Sequence, residues 1–361
     1  MLNNKKRILF VGSFKVHAKD GSVGGQMYAC RSLIDSELSN FVDWILLDST
    51  ADTNQQESFI KRFLKACKRL FKFIYYLITC NIDFVIIFTA NGWSFIEKGT
   101  MALIAKLFRK RVILAPRSGL VVNDIEESNF MKKFIPLVLN HVDYIICQGQ
   151  IWKLFYSNLI KKNQNKFIVI NNWIDVSKYS ETSKSNDCIQ ILYLAWVDKN
   201  KGIFDLINSL KYLNCNNYCL NVAGDGQAMA ESKKLVESLG LSNKVKFLSW
   251  VINQNKIELL AKSDIFVLPS YFEGYPNSLI EAMASNCAVI ATDVGSIPDL
   301  LHHMQNGLVF KPGDISTLAS HLDLLVSNAK YRSKLAQNGR ESILLNNSIN
   351  SVVDKFKLIL N

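Results

Sequence analysis

The chain has 361 residues, of which 49% are hydrophobic and 20% are charged. This length exceeds that of one ordinary domain, and the composition describes a folded protein with large cores. No apolar run reaches the roughly 18–20 residues of a membrane-spanning helix, and the apolar segment near the N-terminus is too short for a signal peptide. The eight cysteines contain no C-x-x-C pair, so we expect reduced thiols and no metal site.

The formal net charge of +11 is unevenly placed along the chain. Residues 1–175 contain 24 Lys and Arg against 14 Asp and Glu, a net of +10. Residues 176–361 contain 18 against 17, a net of +1. We therefore expect the first half to face an anionic partner.

Short apolar segments alternate with helical stretches along the whole chain, which predicts parallel sheets covered on both faces. The predicted strands of the first half are RILFVG, VDWILLD, DFVIIFT, RVILAP, DYIICQ and KFIVIN. Those of the second half are IQILYLAW, NYCLNVAG, KVKFLSW, DIFVLPS, AVIATD and GLVF. The pattern indicates an α/β protein with two Rossmann-like, doubly wound domains.

The first loop, KDGSVGGQM, follows the first strand and leads into a helix. Its glycines Gly21, Gly24 and Gly25 would let a phosphate or a sugar approach the backbone and the helix N-terminus. The dinucleotide fingerprint is absent and Asp48 is a poor match for its acidic residue, so NAD binding is disfavoured. A plain tight turn remains an equal alternative, as it does for VAGDGQ in the second half. His17 lies in the first loop and is a candidate acceptor contact, although a solvated histidine fits as well.

A basic amphipathic helix is predicted from Phe59 to Ile78, with the sequence FIKRFLKACKRLFKFIYYLI. Phe59, Phe63, Cys67, Leu70, Ile74 and Leu77 recur at helical spacing, and Lys and Arg occupy the other side. Such a helix is able to lie on an anionic membrane surface, and an ordinary surface helix is the alternative. Nucleic-acid binding is disfavoured, because no aromatic-plus-basic platform or recognition helix is evident.

The polar stretch from Ser177 to Asp187 interrupts the strand pattern and predicts a linker. We expect a domain at 1–175 and a second at 176–345, with a C-terminal helix at 346–361 packing back on the first. Two doubly wound domains imply a cleft that both domains face, with ligands at the carboxyl ends of the strands.

The segment LAWVDKNKGIFDLINSL ends a strand near Trp196 and starts a helix near Gly202. Lys201 stands between them, and its charge adds to the partial positive charge of a helix start, which suits a diphosphate. A solvated lysine in a polar loop is the alternative.

The segment YFEGYPNSLIEAMAS follows the strand DIFVLPS. Pro276 is suited to a helix start, with Asn277 or Ser278 as the cap. Glu273 then lies on the loop before the helix and Glu281 within its first turns, so both carboxylates can reach one bound molecule. Carboxylates accept two hydrogen bonds in a fixed plane and bind sugar hydroxyls well. The alternative is an exposed Glu273 and a Glu281 that only complements the helix dipole.

These segments resemble the retaining, nucleotide-sugar-dependent glycosyltransferases of the GT-B fold, family-4 type. The E-x7-E element is EGYPNSLIE, followed by AMASNCAVIATDVGSIPDL, and KG, VAGDG and NNWID fall in the order of that family. In the first half the resemblance rests on GSVGG and on APRSGL, which is similar to a loop in polysaccharide-building members.

The resemblance implies a role for each matching residue. Glu273 would contact hydroxyls of the donor sugar, Glu281 would hold the ribose, and Lys201 would hold the diphosphate. We therefore predict Glu273 and Lys201 as catalytic. The implied donor-binding residues are Gly24, Gly25, Trp196, Gly202, Gly274, Asn277, Ser278, Leu279 and Glu281.

Trp196 departs from the family pattern, because an arginine is expected a few positions before the lysine. Lys201 would then hold more of the phosphate charge, or Arg117 would stand in as a phosphate or acceptor contact.

The implied activity is retaining hexosyl transfer from a UDP-, GDP- or ADP-sugar to a saccharide or lipid-linked acceptor, in surface polysaccharide biosynthesis. No metal or other cofactor is expected, and a cytoplasmic enzyme on the inner face of the cytoplasmic membrane is predicted. The alternatives are a sugar-nucleotide epimerase of similar fold and a catalytically weak sugar-nucleotide-binding protein, which Trp196 favours.

Overall fold

The computed structural model describes residues 5–15, 25–50, 58–160, 163–179 and 188–361. The chain divides into two compact units. Unit 1 comprises Met1–Asn172 and Ile349–Asn361, and unit 2 comprises Trp173–Ser348.

Unit 1 is built on a six-stranded parallel sheet within the described residues. Its strands are β1 (Lys6–Gly12), β2 (Val42–Asp48), β3 (Phe84–Thr89), β4 (Arg111–Pro116), β5 (Tyr144–Cys147) and β6 (Phe167–Val169). Their order across the sheet is β2-β1-β3-β4-β5-β6, so the winding direction reverses between β1 and β3.

Helices connect these strands and cover the sheet. They are α1 (Gly25–Ile34), α2 (Phe59–Thr79), α3 (Trp93–Leu107), α4 (Val121–Glu127), α5 (Asn129–His141) and α6 (Gln150–Leu159). The side chain of Lys166 caps the carboxyl end of α5. Its ammonium donates to the carbonyls of Leu139 at 2.5 Å and Asn140 at 3.0 Å. A cation at the carboxyl end of a helix complements the helix dipole.

Unit 2 repeats the architecture with a second six-stranded parallel sheet in the described part of the chain. Its strands are β7 (Ile189–Leu194), β8 (Tyr218–Ala223), β9 (Val245–Ser249), β10 (Ile265–Leu268), β11 (Ala288–Thr292) and β12 (Leu308–Phe310). Their order is β12-β11-β10-β7-β8-β9, so the winding direction reverses between β7 and β10.

The helices of unit 2 follow its strands in turn. They are α7 (Ile203–Ser209), α8 (Met229–Ser238), α9 (Asn253–Lys262), α10 (Asn277–Ala284), α11 (Ile297–Leu300), α12 (Ile315–Ser327) and α13 (Ala329–Asn346). The last helix, α14 (Ile349–Leu360), belongs to unit 1, where Lys6 donates to the carbonyl of Leu360.

The central strands are buried on both faces, as their continuous apolar sequences require. All six residues of β3 and all five of β11 are buried. A strand covered on two sides loses the polar alternation of a half-exposed strand. All twelve predicted strands and the doubly wound α/β class are thus confirmed.

The expectation of eight reduced cysteines is wrong at one pair. Cys188 and Cys219 form a disulfide, and the other six cysteines are free thiols. Cys188 directly precedes β7, and Gln190 pairs with Cys219 of the neighbouring β8. Sheet pairing therefore joins two cysteines whose separation of 31 residues gives no signature in the sequence.

Candidate functional site

The best-defined site lies at the carboxyl edge of unit 2, meaning the carboxyl ends of its strands with the loops that follow them. At the switch point, β7 and β10 are neighbours whose connections leave in opposite directions. Doubly wound sheets bind ligands in the crevice at such a point. The loops after the two strands are joined there, because the N–H of Tyr271 donates to the carbonyl of Asn200 at 2.8 Å.

Lys201 and Glu273 meet across this switch point. The ammonium Nζ of Lys201 lies 2.7 Å from Oε1 of Glu273 and also donates to the carbonyl of Phe272 at 3.4 Å. The side chains of Lys201 and Glu273 are 26% and 11% exposed. The two residues predicted as catalytic are therefore ion-paired, and an anionic ligand would have to draw the ammonium away from the carboxylate.

Two glycines allow the loops to approach this closely. Gly202 has φ +69°, and a Cβ added to it would lie 1.9 Å from the carbonyl oxygen of Pro269. Gly295 has φ +55°, and its added Cβ would lie 1.9 Å from the carbonyl oxygen of Glu273. Both positions require glycine, because positive φ and the contact with backbone each disfavour a side chain. Glycine at position 202 thus lets the loop that bears Lys201 approach the residue after β10.

Glu281 lies inside α10 and is buried, with only 4% of its surface exposed. Its Oε1 accepts from Nζ of Lys256, which belongs to α9, at 2.7 Å. A buried carboxylate requires such a partner, since an uncompensated buried charge is strongly unfavourable. Lys256 is not among the predicted site residues, and its one signal in the sequence is its place in the first turn of the helix that follows β9.

The start of α10 differs from the predicted cap. The helix begins at Asn277 with Pro276 as its N-cap, and Pro276 makes no side-chain cap hydrogen bond. Neither Asn277 nor Ser278 is the cap, because Pro276 has the extended conformation and both following residues are helical. An α-helix supplies no internal acceptor for the N–H groups of its first turn, here those of Asn277, Ser278 and Leu279. Gly274 lies just before, and its carbonyl accepts from the N–H of Ser296 at 3.0 Å.

Trp196 lies in the loop after β7. Its indole contacts the indole of Trp250, which directly follows Ser249, the last residue of β9. The ring centroids are 4.7 Å apart. The two residues are 48% and 43% exposed. Trp250 was predicted only as the end of a strand, although any residue directly after a parallel strand lies at the carboxyl edge.

The remaining candidates belong to unit 1. Gly25 is the first residue of α1 and is exposed, whereas Gly24 and His17 lie outside the described residues. Arg117 follows β4, and its guanidinium lies 5.1 Å from the ring centroid of Phe88. Burial lowers the pKa of Arg117 to about 10.

Helix α2 presents an apolar surface that differs from the predicted one. Phe73 and Leu77 are buried, whereas six other large side chains are exposed, among them Phe71 by 76%, Ile60 by 70% and Phe63 by 53%. We name five of the six, without Phe63, the α2 ridge: Ile60, Leu64, Phe71, Tyr75 and Ile78. At 3.6 residues per turn they fall within an arc of about 60°, and Lys61, Lys68 and Lys72 follow within about 60° more. The predicted face combined core-facing positions with exposed ones.

None of the helices that the structure describes has both the length and the apolar character needed to cross a membrane. Within the same residues, His, Cys, Asp and Glu side chains form no group of three that could hold a metal ion.

Unit 2 matches a known family model over most of its length. Residues 175–342 match the family model described as Glycosyl transferases group 1. A Campylobacter jejuni enzyme, named as an alpha-1,4-N-acetyl-D-galactosaminyltransferase, is 26% identical over 69% of this chain and 68% of its own length. The capsular polysaccharide biosynthesis glycosyltransferase CapM of Staphylococcus aureus is 27% identical over 53% of each chain, so the chain spans about half the length of that relative.

Solved structures show the same fold at low sequence identity. The sucrose-phosphate synthase of Thermosynechococcus elongatus has a TM-score of 0.80 at 17% identity, covering 98% of both chains. Anabaena HepE in complex with UDP has a TM-score of 0.76 at 17% identity, covering 98% of this chain and 99% of its own. The two parallel sheets with their helices therefore match the GT-B fold, and the comparisons together support a group-1 glycosyltransferase.

Proposed function

We propose that this chain, supported as a group-1 glycosyltransferase by its family match and relatives, transfers a hexosyl group with retention of the anomeric configuration. The donor is a nucleoside diphosphate sugar with uracil, guanine or adenine as its base. The observation that supports this proposal is the Lys201–Glu273 pair at the β7–β10 switch point. It provides one cation for a diphosphate and one carboxylate for a sugar within 2.7 Å of each other.

The proposed reaction exchanges one bond at the anomeric carbon for another. The bond from this carbon to the diphosphate oxygen breaks, and its electron pair stays on the diphosphate. The acceptor oxygen bonds to the anomeric carbon on the same face, and the acceptor proton passes to the leaving phosphate oxygen. Lys201 stabilises the charge on that oxygen, and Glu273 lies near a sugar that becomes positive.

The nucleoside end of the donor is assigned to the same edge of unit 2. Glu281, which is ion-paired with Lys256, would accept hydrogen bonds from the ribose hydroxyls. The first N–H groups of α10 would donate to phosphate oxygens. Gly202 and Gly274 would admit the diphosphate and the sugar to the backbone. Gly24 and Gly25 of unit 1 are proposed as further phosphate contacts, and Arg117 and His17 as contacts to acceptor or phosphate.

The test of this proposal is turnover with UDP-, GDP- and ADP-hexoses, followed by nucleotide release and by proton NMR of the product. A glycosyltransferase releases the nucleoside diphosphate and forms a product with the anomeric configuration of the donor. An epimerase would change the sugar while it stays on the nucleotide, and a binding protein would release nothing. An inverted product would contradict retention and leave the transferase activity in place.

We also propose that catalysis needs no metal ion, because Lys201 and the start of α10 provide positive charge where the diphosphate would lie. Turnover is expected to persist in excess EDTA. Loss of turnover on chelation, restored by Mg²⁺ or Mn²⁺, would contradict this expectation. The measurement is the initial rate before chelation, after it, and after the metal is returned.

The acceptor is proposed to be a saccharide or a lipid-linked saccharide in surface polysaccharide or glycolipid biosynthesis. The names of two relatives support this class: the Campylobacter jejuni enzyme is named for an undecaprenol diphosphate-linked substrate, and CapM for capsular polysaccharide. No nucleic-acid partner is proposed.

Membrane contact is proposed through the α2 ridge, with the enzyme on the cytoplasmic face of the cytoplasmic membrane. Five exposed apolar side chains beside a row of lysines suit the boundary between lipid headgroups and acyl chains. The net charge of +10 over residues 1–175 would attract anionic lipids to the same half of the chain.

A further inference from the structure

Trp196 is among the donor contacts that the resemblance implies, but no part of the donor is assigned to it, and Trp250 has no assigned function. Their exposed indoles contact each other with ring centroids 4.7 Å apart and an interplanar angle of 44°. Two large apolar rings, each nearly half exposed, form a surface that a soluble protein keeps mainly for binding. The pair lies on the same edge of the sheet as Lys201 and Glu273.

The backbone around Trp196 is held firmly in place. Its carbonyl accepts from the hydroxyl of Tyr193 at 2.6 Å. The loop after β8 lies against the residues on either side: a Cβ added to Gly224 would be 1.9 Å from the carbonyl oxygen of Ala195. One added to Gly226 would be 2.4 Å from that of Val197. The backbone that bears the Trp196 indole is therefore fixed on both sides, and the ring of Trp250 packs against the indole itself.

The order of functional groups along the edge matches the order of parts in a nucleotide sugar. Going from β10 through β7 and β8 to β9, the edge presents Glu273, then Lys201 and Trp196, then Trp250. Three strand spacings separate β10 from β9, roughly 14 Å. The donor has its sugar at one end, its diphosphate in the middle and its planar base at the other end. Helix α9, which provides Lys256 to Glu281, begins three residues after Trp250.

We propose that Trp196 and Trp250 stack against the nucleobase of the donor. This inference rests on the proposed function and extends it to the recognition of the base. An indole at position 196, where the family resemblance expects an arginine, would move part of the binding energy from the diphosphate to the base. Every nucleobase has a π face, so stacking strengthens binding for each of them.

The experiment is isothermal titration of the full chain with UDP, GDP, ADP and inorganic pyrophosphate. Trp250→Ala is expected to weaken the best-bound nucleoside diphosphate by about 5- to 150-fold, the effect of losing one base–aromatic stack. Trp250→Phe should restore most of this affinity because it keeps a ring. Pyrophosphate, which has no base, should bind the wild type and Trp250→Ala within twofold of each other. Tyr212→Ala removes an exposed ring elsewhere in unit 2 and should leave the affinity for the nucleoside diphosphate and for pyrophosphate unchanged.

Fluorescence provides a second measurement that does not depend on activity. The best-bound nucleoside diphosphate should quench wild-type tryptophan emission, and the quench should disappear in the Trp196→Phe, Trp250→Phe double variant. Unchanged nucleotide affinity in Trp250→Ala overturns base stacking and leaves the proposed function in place. Equal losses for nucleotide and pyrophosphate overturn it as well, because they indicate a structural role. A wild type that binds no nucleoside diphosphate at all overturns the proposed function together with this inference.

Discussion

Both units wind six parallel strands, yet their strand orders differ among the described residues. Unit 1 reverses direction between β1 and β3, and unit 2 between β7 and β10. In unit 2 the reversal separates its strands evenly, three on each side, and Lys201 and Glu273 meet there. In unit 1 two strands lie on one side and four on the other. Similar sheets thus provide switch points in different places.

The two halves of the chain also differ in how their charged residues are arranged. In unit 2 each candidate carboxylate has a lysine at 2.7 Å, as Glu273 has Lys201 and Glu281 has Lys256. Residues 1–175 instead contain ten more cations than anions. Paired charges act at short range and favour a ligand of defined shape, whereas a cationic excess attracts an extended anionic surface. We propose on this ground that unit 2 recognises the donor and that unit 1 attracts the acceptor surface.

The largest expected effect concerns the excess of cations in residues 1–175. Replacing Lys61, Lys65, Lys68 and Lys72 by Gln is expected to abolish sedimentation with anionic vesicles. Each lysine near such a surface contributes about 1 kcal/mol, so four together contribute about 4 kcal/mol. Vesicles of phosphatidylglycerol and phosphatidylcholine would be compared at low and high salt, and salt should release the wild type.

A matched control removes four lysines from unit 2, at the exposed positions Lys233, Lys234, Lys330 and Lys334. This variant has the same net charge as the first and should still bind the vesicles. Equal binding by both variants would show that α2 is only a structural helix. Phe71→Ser with Ile78→Ser tests the α2 ridge itself and should weaken binding without loss of fold, since both side chains are exposed.

The second effect concerns the lysine–glutamate pairs of unit 2. Lys201→Ala removes the cation assigned to the leaving diphosphate, and turnover should fall roughly 10²–10³-fold, or about 2.7–4 kcal/mol. Lys199→Ala is the control, because Lys199 lies on the same turn with a 74% exposed side chain. Its ammonium contacts Glu231 at 3.8 Å and lies 5.8 Å from the ring centroid of Phe204. Steady-state kinetics of both variants, after circular dichroism, provides the measurement. Near-normal turnover in Lys201→Ala would refute the phosphate assignment.

Much of the fold is predictable from sequence because parallel strands buried on both faces read as continuous apolar runs. The segments that became β3 and β11 show this directly, since every residue in them is buried. The α2 ridge was less accessible to prediction. Helical periodicity places residues on faces, but Phe71 and Phe73 are both apolar, and only packing decides that one is exposed and the other buried.

Candidate site residues could be chosen from the sequence where a single short segment contains the signal, and less so where the contact joins two elements. Lys201 and Glu273 each stand in a short segment with its own glycine or helix start. Lys256 reaches Glu281 from another helix, 25 positions away, and Trp250 meets Trp196 across β8. Such contacts depend on strand order, which apolar patterns do not contain.

A smaller effect tests the buried pair in unit 2. Lys256→Met leaves the carboxylate of Glu281 without its cation, and the free energy of unfolding should fall by about 2 kcal/mol. This is less than the 3–5 kcal/mol of a fully buried pair, because the Lys256 side chain is 28% exposed. Adding Glu281→Gln should recover most of the loss in urea unfolding, because no charge then remains buried. A double variant no more stable than Lys256→Met would show that the lysine acts by packing alone.

The smallest effect follows from the ion pair that a donor would have to open. Glu273→Gln removes the carboxylate that holds Lys201, so the ammonium becomes available to a phosphate. Affinity for the nucleoside diphosphate should rise about fivefold, equivalent to about 1 kcal/mol, the upper range for a partly exposed ion pair. Turnover should fall at the same time, because the transition state loses a negative charge beside a sugar that becomes positive. Calorimetry and steady-state kinetics on one preparation separate the two effects. Weaker nucleotide binding in Glu273→Gln would mean that the carboxylate positions Lys201 for the phosphate and does not compete with it.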